Sequence, residues 1–339
     1  MEVSGSRPST VRILIEERSQ VGEGRRAASG LIRDLPFDEA ARGNVALVAT
    51  ELAANLVAHA GRGELLLNLF GEDGTAGIEI IAIDQGPGIK DIARSTADGY
   101  STAGTPGNGF GAVMRLSGDF DIYSPPNGGL IVLSRIYART LPARRIGAHG
   151  LSTPMQGETI CGDAWVAAPT PEGIRIAIAD GLGHGPLARE SADLAITAFH
   201  DSLRNDIDTV LQRAHNSVYG TRGCVFAVAE INSDENRLAY CGIGNISAST
   251  LSGMTTQAMV AMNGTVGSTS HKPRTFTYPW TGQAILVMHS DGMQSNWSLD
   301  SYKGVLAHDL TVIAAVLYRD FNRRRDDFTV VVARQEPVD

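Results

Sequence analysis

The feature that most constrains this chain is the stretch Asp180-Gly-Leu-Gly-His-Gly185, which lies between a predicted strand and a predicted helix. Residues 174–178 are mostly apolar and predict a buried strand, and apolar periodicity resumes as a helix from Leu187 to Phe199. Glycines allow positive φ and a close approach of the backbone to a ligand. A carboxylate at a strand end commonly presents an oxygen ligand to a divalent cation. The stretch alone supports two interpretations: a cation-binding turn, or a tight turn in which Asp180 caps the helix.

Length and charge narrow the classes of protein to consider. A chain of 339 residues favours two domains over one. The net charge of -8 argues against nucleic acid as a partner. No apolar run approaches the roughly 18 residues of a membrane span, and the polar N-terminus lacks the apolar core of a secretory signal. The three cysteines have no C-x-x-C spacing, so neither a disulfide framework nor a zinc site is expected. We therefore expect a cytoplasmic protein with no membrane or nucleic-acid partner.

In the N-terminal half, a long helical pattern runs from Phe37 to about His59 and carries three polar residues spaced four apart. These are Glu51, Asn55 and His59. This spacing predicts that they share one face of the helix, while the other faces are apolar. A polar stripe on an otherwise buried helix faces either solvent or a ligand, and the helix alone leaves both options open.

Glycine-rich turns follow in the same half. The strand 77–83 ends in Asp84-Gln-Gly86-Pro-Gly88, and a polar loop, residues 90–106, comes next. A loop of that length without an apolar pattern is usually functional or mobile. It ends in three alternating glycines at the start of a helix, which are Gly107, Gly109 and Gly111. Free amides and the dipole at a helix start favour anions, so this segment predicts a polyphosphate site.

The order of these motifs resembles the GHKL ATP-binding fold, and within it the small switch kinases of the RsbT and RsbW type. The resemblance covers nearly all of residues 10–137. It implies that Asn55 holds Mg²⁺ between the phosphates and that Glu51 is the base for the acceptor hydroxyl. It also implies that Asp84 accepts from the adenine amino group. The resemblance gives His59 no role, and a core or capping histidine is expected there.

The same resemblance assigns nucleotide contacts to the glycines of both turns. Gly86 and Gly88 are expected to allow close approach of the nucleotide. Gly107, Gly109 and Gly111 are expected to surround the phosphates. The N-terminal domain is therefore expected to bind ATP with Mg²⁺.

In the C-terminal half, aspartates recur at the ends or starts of predicted strands. They are Asp163, Asp180, Asp291 and Asp326, the last followed by Asp327. Carboxylates brought together repel and raise one another's pKa unless a cation joins them. A sandwich of strands with these carboxylates at one edge is typical of a two-metal hydrolase, and all-oxygen ligands suit Mn²⁺ or Mg²⁺.

The succession Gly-Asp, Asp-Gly-x-Gly-His-Gly, Ser-Asp-Gly and Asp-Asp-x-Thr resembles the PPM phosphatases of the SpoIIE and RsbX group, over about residues 154–335. The resemblance implies that Asp163, Asp180 and the Gly181 carbonyl bind both metals. It implies that Asp291 and Asp326 complete the coordination of one of them.

Three further positions are less well determined by this resemblance. Asp327 stands where relatives place Asn or Asp, so its role as a ligand is open. Residues 155–163 contain no Arg or Lys to hold the phosphate. His184 is expected either to orient a water or phosphate or to be purely structural.

The expected fold class is α+β in two domains. The first, residues 1–138, is an α/β sandwich of the GHKL type with helices on one face of a mixed sheet. A linker, residues 139–150, leads to the second domain, residues 151–339, expected to be an αββα sandwich of the PPM type.

Together the resemblances imply a bifunctional switch enzyme in stress-response or sigma-factor regulation. The first domain is expected to phosphorylate Ser or Thr on a STAS-type partner protein, with Glu51 as its catalytic base. The second is expected to hydrolyse such a phosphate at Asp163 and Asp180. Two alternatives stay open: a phosphatase whose N-terminal domain senses ATP without transferring phosphate, and a module that acts by docking on a partner. Homodimer formation is open as well.

Overall fold

The computed structural model describes residues 10–71, 76–89, 91–96, 109–126, 128–138, 146–253, 255–268 and 272–335. They form two compact units. The first unit contains residues 10–138 together with Leu299–Val316, and the second contains residues 146–298 and 317–335. The domain bounds 1–138, 139–150 and 151–339 stay predictions. Residues 146–150 of the expected linker lie in a strand.

The first unit is a five-stranded sheet, and the helices of residues 10–138 lie on one face of it. Its strands, which follow the order β1-β2-β3-β5-β4 in the sheet, are β1 (Val11–Ile15), β2 (Gly63–Phe70), β3 (Gly77–Asp84), β4 (Asp119–Tyr123) and β5 (Leu130–Tyr137). Its helices within residues 10–138 are α1 (Arg18–Leu31), α2 (Glu39–Asn55), α3 (Ile92–Thr96) and α4 (Phe110–Leu116). A π-helical turn, Leu56–Ala60, continues α2.

The pairings within this sheet differ from the expectation of a mixed sheet. All four described pairings, including β3 with β5, are antiparallel. β2–β3 and β4–β5 follow one another along the chain, and successive strands joined by short connections pair antiparallel. The core lies between the sheet and the helices, where alternate residues of β3 such as Ile78 and Ile80 meet Val48 and Leu52 of α2.

The second unit is a sandwich of two antiparallel sheets. One sheet has the order β13-β10-β9-β8-β7, and the other β12-β11-β14-β15-β6. The strands are β6 (Ile146–Thr153), β7 (Asp163–Thr170), β8 (Gly173–Gly181), β9 (Cys224–Asn232), β10 (Arg237–Ile243), β11 (Ser247–Ser252), β12 (Thr255–Ala258), β13 (Phe276–Pro279), β14 (Ile285–His289) and β15 (Phe328–Gln335). The helices are α5 (Pro186–His200) and α6 (Ile207–Val218), and residues 317–321 of α7 (Leu310–Phe321) also belong to this unit.

Two apolar clusters stabilise the second unit. One lies between the sheets and includes Trp165, Tyr240 and Val331. The other joins the first of these sheets to α5 and α6 and includes Phe199 and Phe226. Two sheet faces and a helix layer are therefore buried in this unit, which confirms the two-domain α+β class with its sheet sandwich.

Two strands of this unit were not expected from the sequence. The first five residues of β6, 146–150, fall in the predicted linker, and β13 has only four residues. β6 pairs with β15, close to the end of the chain, over eight residues from Thr153 to Ile146. A pairing between segments so far apart leaves little trace in local periodicity.

Within the described ranges, no helix combines the length and the apolar character needed to cross a membrane.

Candidate active sites

The acidic site of the second unit begins with a pair of aspartates on neighbouring strands. Asp163 opens β7, and Asp180 is its direct partner in the antiparallel register with β8. Side chains of directly opposed residues lie on the same face of a sheet, close together. The antiparallel pairing of β7 with β8 therefore brings these two carboxylates side by side.

The environment of this pair disfavours two negative charges. Asp163 is 1% exposed, and burial raises its pKa to about 7, with the charges of Asp327 and Asp291 adding to the rise. Hydrogen bonds from the hydroxyls of Ser290 and Thr329 act in the opposite direction. The pKa of Asp180 is raised well above its usual value by burial and by the charges of Asp163, Asp291 and Asp326. One Asp163 oxygen, Oδ2, is buried without a hydrogen-bond partner among the described residues.

Two more carboxylates reach the same site from the second sheet. Asp291 follows β14, and Asp326 precedes β15, which pairs with β14. Asp180, Asp291 and Asp326 all line one cleft of about 490 Å³. The pKa of Asp326 is raised by burial and by the charge of Asp291. Asn245, in the turn after β10, donates from Nδ2 to Asp291 Oδ2 at 2.8 Å and holds that side chain in place.

The environment of Asp327 differs from that of Asp326, which lines the cleft. Its Oδ1 accepts from the Met155 backbone amide at 2.8 Å, and its Oδ2 accepts from the Gly162 amide at 2.7 Å. The side chain is 2% exposed. Both carboxylate oxygens are thus bound to backbone on either side of the 155–162 loop, so Asp327 positions that loop directly before Asp163.

The glycine-rich stretch that follows Asp180 is shaped by close packing. A Cβ on Gly181 would lie 2.0 Å from the Ala188 carbonyl oxygen, so only glycine allows α5 to approach the strand end. Gly183 and Gly185 have positive φ of 87° and 74°. Gly185 is the N-cap residue of α5, and no side chain caps this helix. The interpretation of Asp180 as a helix cap is therefore wrong.

His184 lies at the rim of the same cleft. Its Nδ1 is 2.7 Å from Glu158 Oε1, and its side chain is 51% exposed. An exposed imidazole held by a carboxylate keeps one ring nitrogen for a ligand or for water. This arrangement agrees with the expectation that His184 orients a small group, without excluding a structural role.

The cleft has a positively charged side chain, although residues 155–163 contain no Arg or Lys. Arg325, directly before Asp326, has an exposed side chain and lines the cleft. Guanidinium groups match phosphate geometry. Sequence reasoning missed Arg325, Asn245 and Glu158. Arg325 precedes the Asp-Asp-x-Thr motif and Asn245 ends a Gly-Ile-Gly-Asn run, so both could have been found by their proximity to motifs.

The residues of the acidic site fit divalent cations. The donors are all oxygens, and the pKa values of Asp163, Asp180 and Asp326 are raised by burial and by neighbouring charges. One of the buried oxygens, Asp163 Oδ2, has no partner among the described residues. Within the described part of the chain, no three His, Cys, Asp or Glu side chains are placed to hold one ion together. Mg²⁺ usually keeps several waters and binds through one or two carboxylates, which such a spread of donors allows.

The candidate nucleotide site of the first unit starts on α2. Glu51 and Asn55 lie in the last turns of this helix, and burial raises the pKa of Glu51 above its usual 4.5. The Asn55 Nδ2 is buried and has no hydrogen-bond partner among the described residues. An unpaired buried amide costs free energy unless a ligand or water satisfies it. Asn55 therefore has the environment of a ligand-facing residue.

The turn after β3 lies next to the end of this helix. Asp84 is 7% exposed, and its Oδ1 accepts from the Gly86 amide at 2.8 Å. A Cβ on Gly86 would lie 2.9 Å from Ala60 Cβ, in the π-helical turn that follows Asn55. Gly88 has a φ of 70°, and a Cβ there would lie 2.5 Å from Ser124 Oγ. Both glycines are needed for close packing of this turn.

The remaining expected residues of this site are only partly described. Gly109 is the N-cap residue of α4, and Gly111 is buried in its first turn. Gly107 lies outside the described residues, as do residues 97–106 of the preceding loop. His59 is exposed, so of the two expected roles the core histidine is wrong, and the capping histidine stays a prediction. It lies at the far end of the π-helical turn, beyond the α-helical turns of Glu51 and Asn55.

Comparison with known proteins assigns each half of the chain. Residues 16–135 match the family described as Histidine kinase-like ATPase domain. Residues 170–336 match the family described as Stage II sporulation protein E (SpoIIE). Serine/threonine-protein kinase RsbT of Bacillus subtilis (strain 168) is 34% identical over 121 residues, which is 36% of this chain and 90% of RsbT. The chain is a fusion of a histidine kinase-like ATPase domain and a SpoIIE-type PPM domain.

The relatives of the SpoIIE-type domain agree with this assignment. Phosphoserine phosphatase RsbX of Bacillus subtilis (strain 168) is 25% identical over 140 residues, 41% of this chain and 70% of RsbX. A crystal structure of RsbX in complex with magnesium has a TM-score of 0.52 at 21% identity, covering 58% of this chain and 98% of RsbX. It shows the shared PPM phosphatase fold.

A second solved structure is similar at a higher identity. It is described as "The bacterial stressosome: a modular system that has been adapted to control secondary messenger signaling". The TM-score is 0.52 at 28% identity, and the match covers 56% of this chain and all of that chain. The kinase-like ATPase domain and the PPM domain are thus related to the partner-switching proteins RsbT and RsbX.

Proposed function

We propose that this protein both adds and removes phosphate on Ser or Thr of a partner protein. The ATPase domain transfers the γ-phosphoryl of ATP, and the PPM domain hydrolyses the phosphoester. The partner is a STAS-type protein of a stress-response or sigma-factor switch. Similarity to RsbT in one half and to RsbX in the other supports this pairing of opposed activities.

In the phosphatase reaction, the residues that would hold two Mn²⁺ or Mg²⁺ ions are Asp163, Asp180, Gly181 through its carbonyl, Asp291 and Asp326. Two such ions supply a water of lowered pKa for in-line attack on the phosphorus. Asn245 keeps Asp291 oriented, and Asp327 holds the loop that presents Asp163. Arg325 binds the phosphate oxygens at the rim of the cleft, a task that residues 155–163 cannot perform.

In the kinase reaction, Asn55 would hold the Mg²⁺ that accompanies ATP, and Glu51 would take the proton of the acceptor hydroxyl. The raised pKa of Glu51 makes it a stronger base than an exposed glutamate. Asp84 accepts from the adenine amino group. Gly86 and Gly88 let the nucleotide approach, and Gly107, Gly109 and Gly111 surround its phosphates.

One observation gives the phosphatase proposal its strongest support. Asp163 and Asp180 are directly paired on neighbouring strands, in surroundings that raise both pKa values, and Asp163 Oδ2 has no partner in the described part of the chain. Uncompensated carboxylates of this kind destabilise a fold, and divalent cations remove the repulsion.

The test uses the full chain with a STAS-domain protein. The wild type, supplied with Mn²⁺ and phosphoserine STAS protein, is expected to release phosphate. The Asp180→Asn variant, supplied with Mg²⁺ and ATP, is expected to phosphorylate the same protein, because the opposing hydrolysis has been removed. Glu51→Ala added to Asp180→Asn serves as the control and is expected to abolish the transfer.

The outcomes separate the alternatives. Phosphate release without any transfer, with ATP binding demonstrated, replaces the kinase by an ATP-sensing domain. Docking to the STAS protein that survives loss of both Glu51 and Asp180, without either reaction, replaces both activities by a binding module.

A further inference from the structure

The segment Leu299–Val316 lies in the SpoIIE-type half by sequence but belongs to the first unit of the structure. Its contacts are made with the sheet face opposite the α1–α2 core. On that face, Glu79 of β3 and Asp119 of β4 are both register partners of Arg135 on β5. Glu79 and Arg135 are 2% and 4% exposed. Charged groups buried to this degree need partners, and the segment supplies them.

Arg135 is the centre of this contact. It forms two parallel bonds to Asp309, Nη1 to Oδ2 and Nη2 to Oδ1, each at 2.6 Å. Its Nε binds Glu79 Oε1 at 2.8 Å, and its Nη2 donates to Thr311 Oγ1 at 2.9 Å. The Thr311 hydroxyl donates to Glu79 Oε1 at 2.9 Å. A bidentate arginine–carboxylate pair has a fixed geometry, so it holds the segment in one position.

A second contact of the segment is made with β4, the edge strand of the sheet. Asp121 of β4 accepts from the Asp309 amide at 2.8 Å and lies 2.8 Å from His308 Nδ1. Tyr123, two residues along the strand, packs edge-on against the His308 ring. Asp309 is therefore held through both its side chain and its backbone, by two different strands.

The residues that precede and follow this segment join each other within the second unit. The Gln294 amide donates to the Phe321 carbonyl, and the Arg323 amide donates to the Gly292 carbonyl, both at 2.9 Å. This closure lies immediately after Asp291 and shortly before Asp326. Residues 299–316 are thus connected, through this closure, to the backbone that carries two of the proposed metal ligands.

At its other end the segment is bound to the strand that leads to the nucleotide site. Glu79 lies on β3, and the same strand ends at Asp84, the proposed adenine acceptor. Buried strands and bidentate ion pairs deform little, so they transmit small shifts rather than absorb them.

We infer that Leu299–Val316 is a coupling segment, through which nucleotide binding in the ATPase domain changes the phosphatase activity of the SpoIIE-type domain. The inference rests on the proposed function and adds a regulation to it. It gives a physical means by which one chain avoids running both reactions at once. By linkage, if the bound nucleotide changes the metal affinity of the acidic site, the bound metal changes the nucleotide affinity by the same factor.

The test measures hydrolysis of p-nitrophenyl phosphate by the full chain with Mn²⁺, with and without a non-hydrolysable ATP analogue. The wild-type rate is expected to change by about fivefold or more, the usual range of allosteric coupling. Asp309→Asn keeps the shape of the side chain but removes its charge, and Arg135 keeps Glu79 as a partner. This variant is expected to retain its basal rate and nucleotide affinity while its response falls below about twofold.

Asp34→Asn is the matched control, because Asp34 is an exposed aspartate of the first unit in the turn after α1. It is expected to respond like the wild type. Asp121→Asn is the second variant, which loosens the edge contact if Asp309→Asn fails to fold. Amide hydrogen exchange of Gln294 and Arg323 gives a readout independent of turnover, and in the wild type it is expected to change when the analogue binds.

A wild-type rate and exchange pattern that stay the same with the analogue bound overturn the coupling but leave the proposed function intact. A full response in both Asp309→Asn and Asp121→Asn also overturns it. Absence of Mn²⁺-dependent hydrolysis contradicts the proposed function instead, and the exchange measurement then decides the coupling by itself. Absence of analogue binding contradicts both.

Discussion

The acidic site and the nucleotide site are built in opposite ways. The acidic site brings together like charges that raise one another's pKa, and its donors come from strand ends of both sheets. The nucleotide site has one buried, unpaired amide at Asn55 on a helix, and glycines that leave room for backbone contacts. We propose cations as the ligands of the first site and, for the second, an anion that carries its own Mg²⁺.

This difference has a consequence for how each site depends on its ligand. Carboxylates that lie close together repel one another, and a bound cation removes this repulsion. We therefore expect the activity of the acidic site to depend on the metal concentration. An amide and a glycine-rich turn are neutral and form without a ligand. Single substitutions should therefore affect the acidic site more strongly than the nucleotide site.

The largest effect is expected for Asp180→Asn. It removes a proposed ligand of both ions, and metal catalysis of this type contributes several kcal/mol, so phosphate release with Mn²⁺ should fall about 10³-fold. ATP binding by the other domain should stay the same, as measured by titration calorimetry. Asp234→Asn, in an exposed turn of the second unit, is the control. A variant with more than a tenth of the wild-type rate would show that Asp180 is not a ligand.

A smaller effect is expected for Asn55→Ala. It removes the proposed Mg²⁺ ligand but no charge, so the affinity for Mg²⁺·ATP should fall about 100-fold, comparable to the loss of a group that supports a metal site. Phosphate release without nucleotide should be unchanged. Nucleotide titration followed by fluorescence measures the affinity, and unaltered binding would exclude Asn55 from the site.

Asp327→Asn separates a positioning residue from a ligand. The amide keeps one acceptor and turns its NH₂ group toward a backbone N–H, so one of the bonds to Met155 or Gly162 is lost. We expect the Mn²⁺ concentration for half-maximal activity to rise by about 10- to 100-fold, with recovery at excess metal. An unchanged metal requirement contradicts the positioning role, and failure of excess metal to restore activity indicates a direct ligand.

The smallest effect is expected for His59→Gln. The side chain is exposed beyond the turns that carry Glu51 and Asn55. Exposed substitutions usually change the free energy of unfolding by within about 0.5 kcal/mol, so nucleotide affinity and the melting temperature should stay near wild type. Loss of nucleotide binding in this variant would show that His59 faces the ligand together with Glu51 and Asn55, as their i, i+4 spacing suggested.

Much of the fold and of both candidate sites could be predicted because their signals are local. Apolar residues at 174–178 predicted the strand that became β8, and helical periodicity predicted α2 with Glu51 and Asn55 on it. The acidic motifs each lie within a few residues of a strand end. Such patterns follow from backbone geometry and the burial of one face, which neighbouring residues determine.

What only the tertiary structure decided depends on contacts between residues far apart in the chain. The carboxylate of Asp327 could equally have faced a metal, and its two bonds to the 155–162 loop follow from the pairing of β6 with β15. Nothing in the sequence near Asp309 indicates Arg135, 174 residues away, as its partner. The sequence by itself determined which residue types are available for each reaction. Folding determined which of these residues come into contact. Burying charged groups costs free energy unless they are paired, and only the tertiary structure brings such partners together.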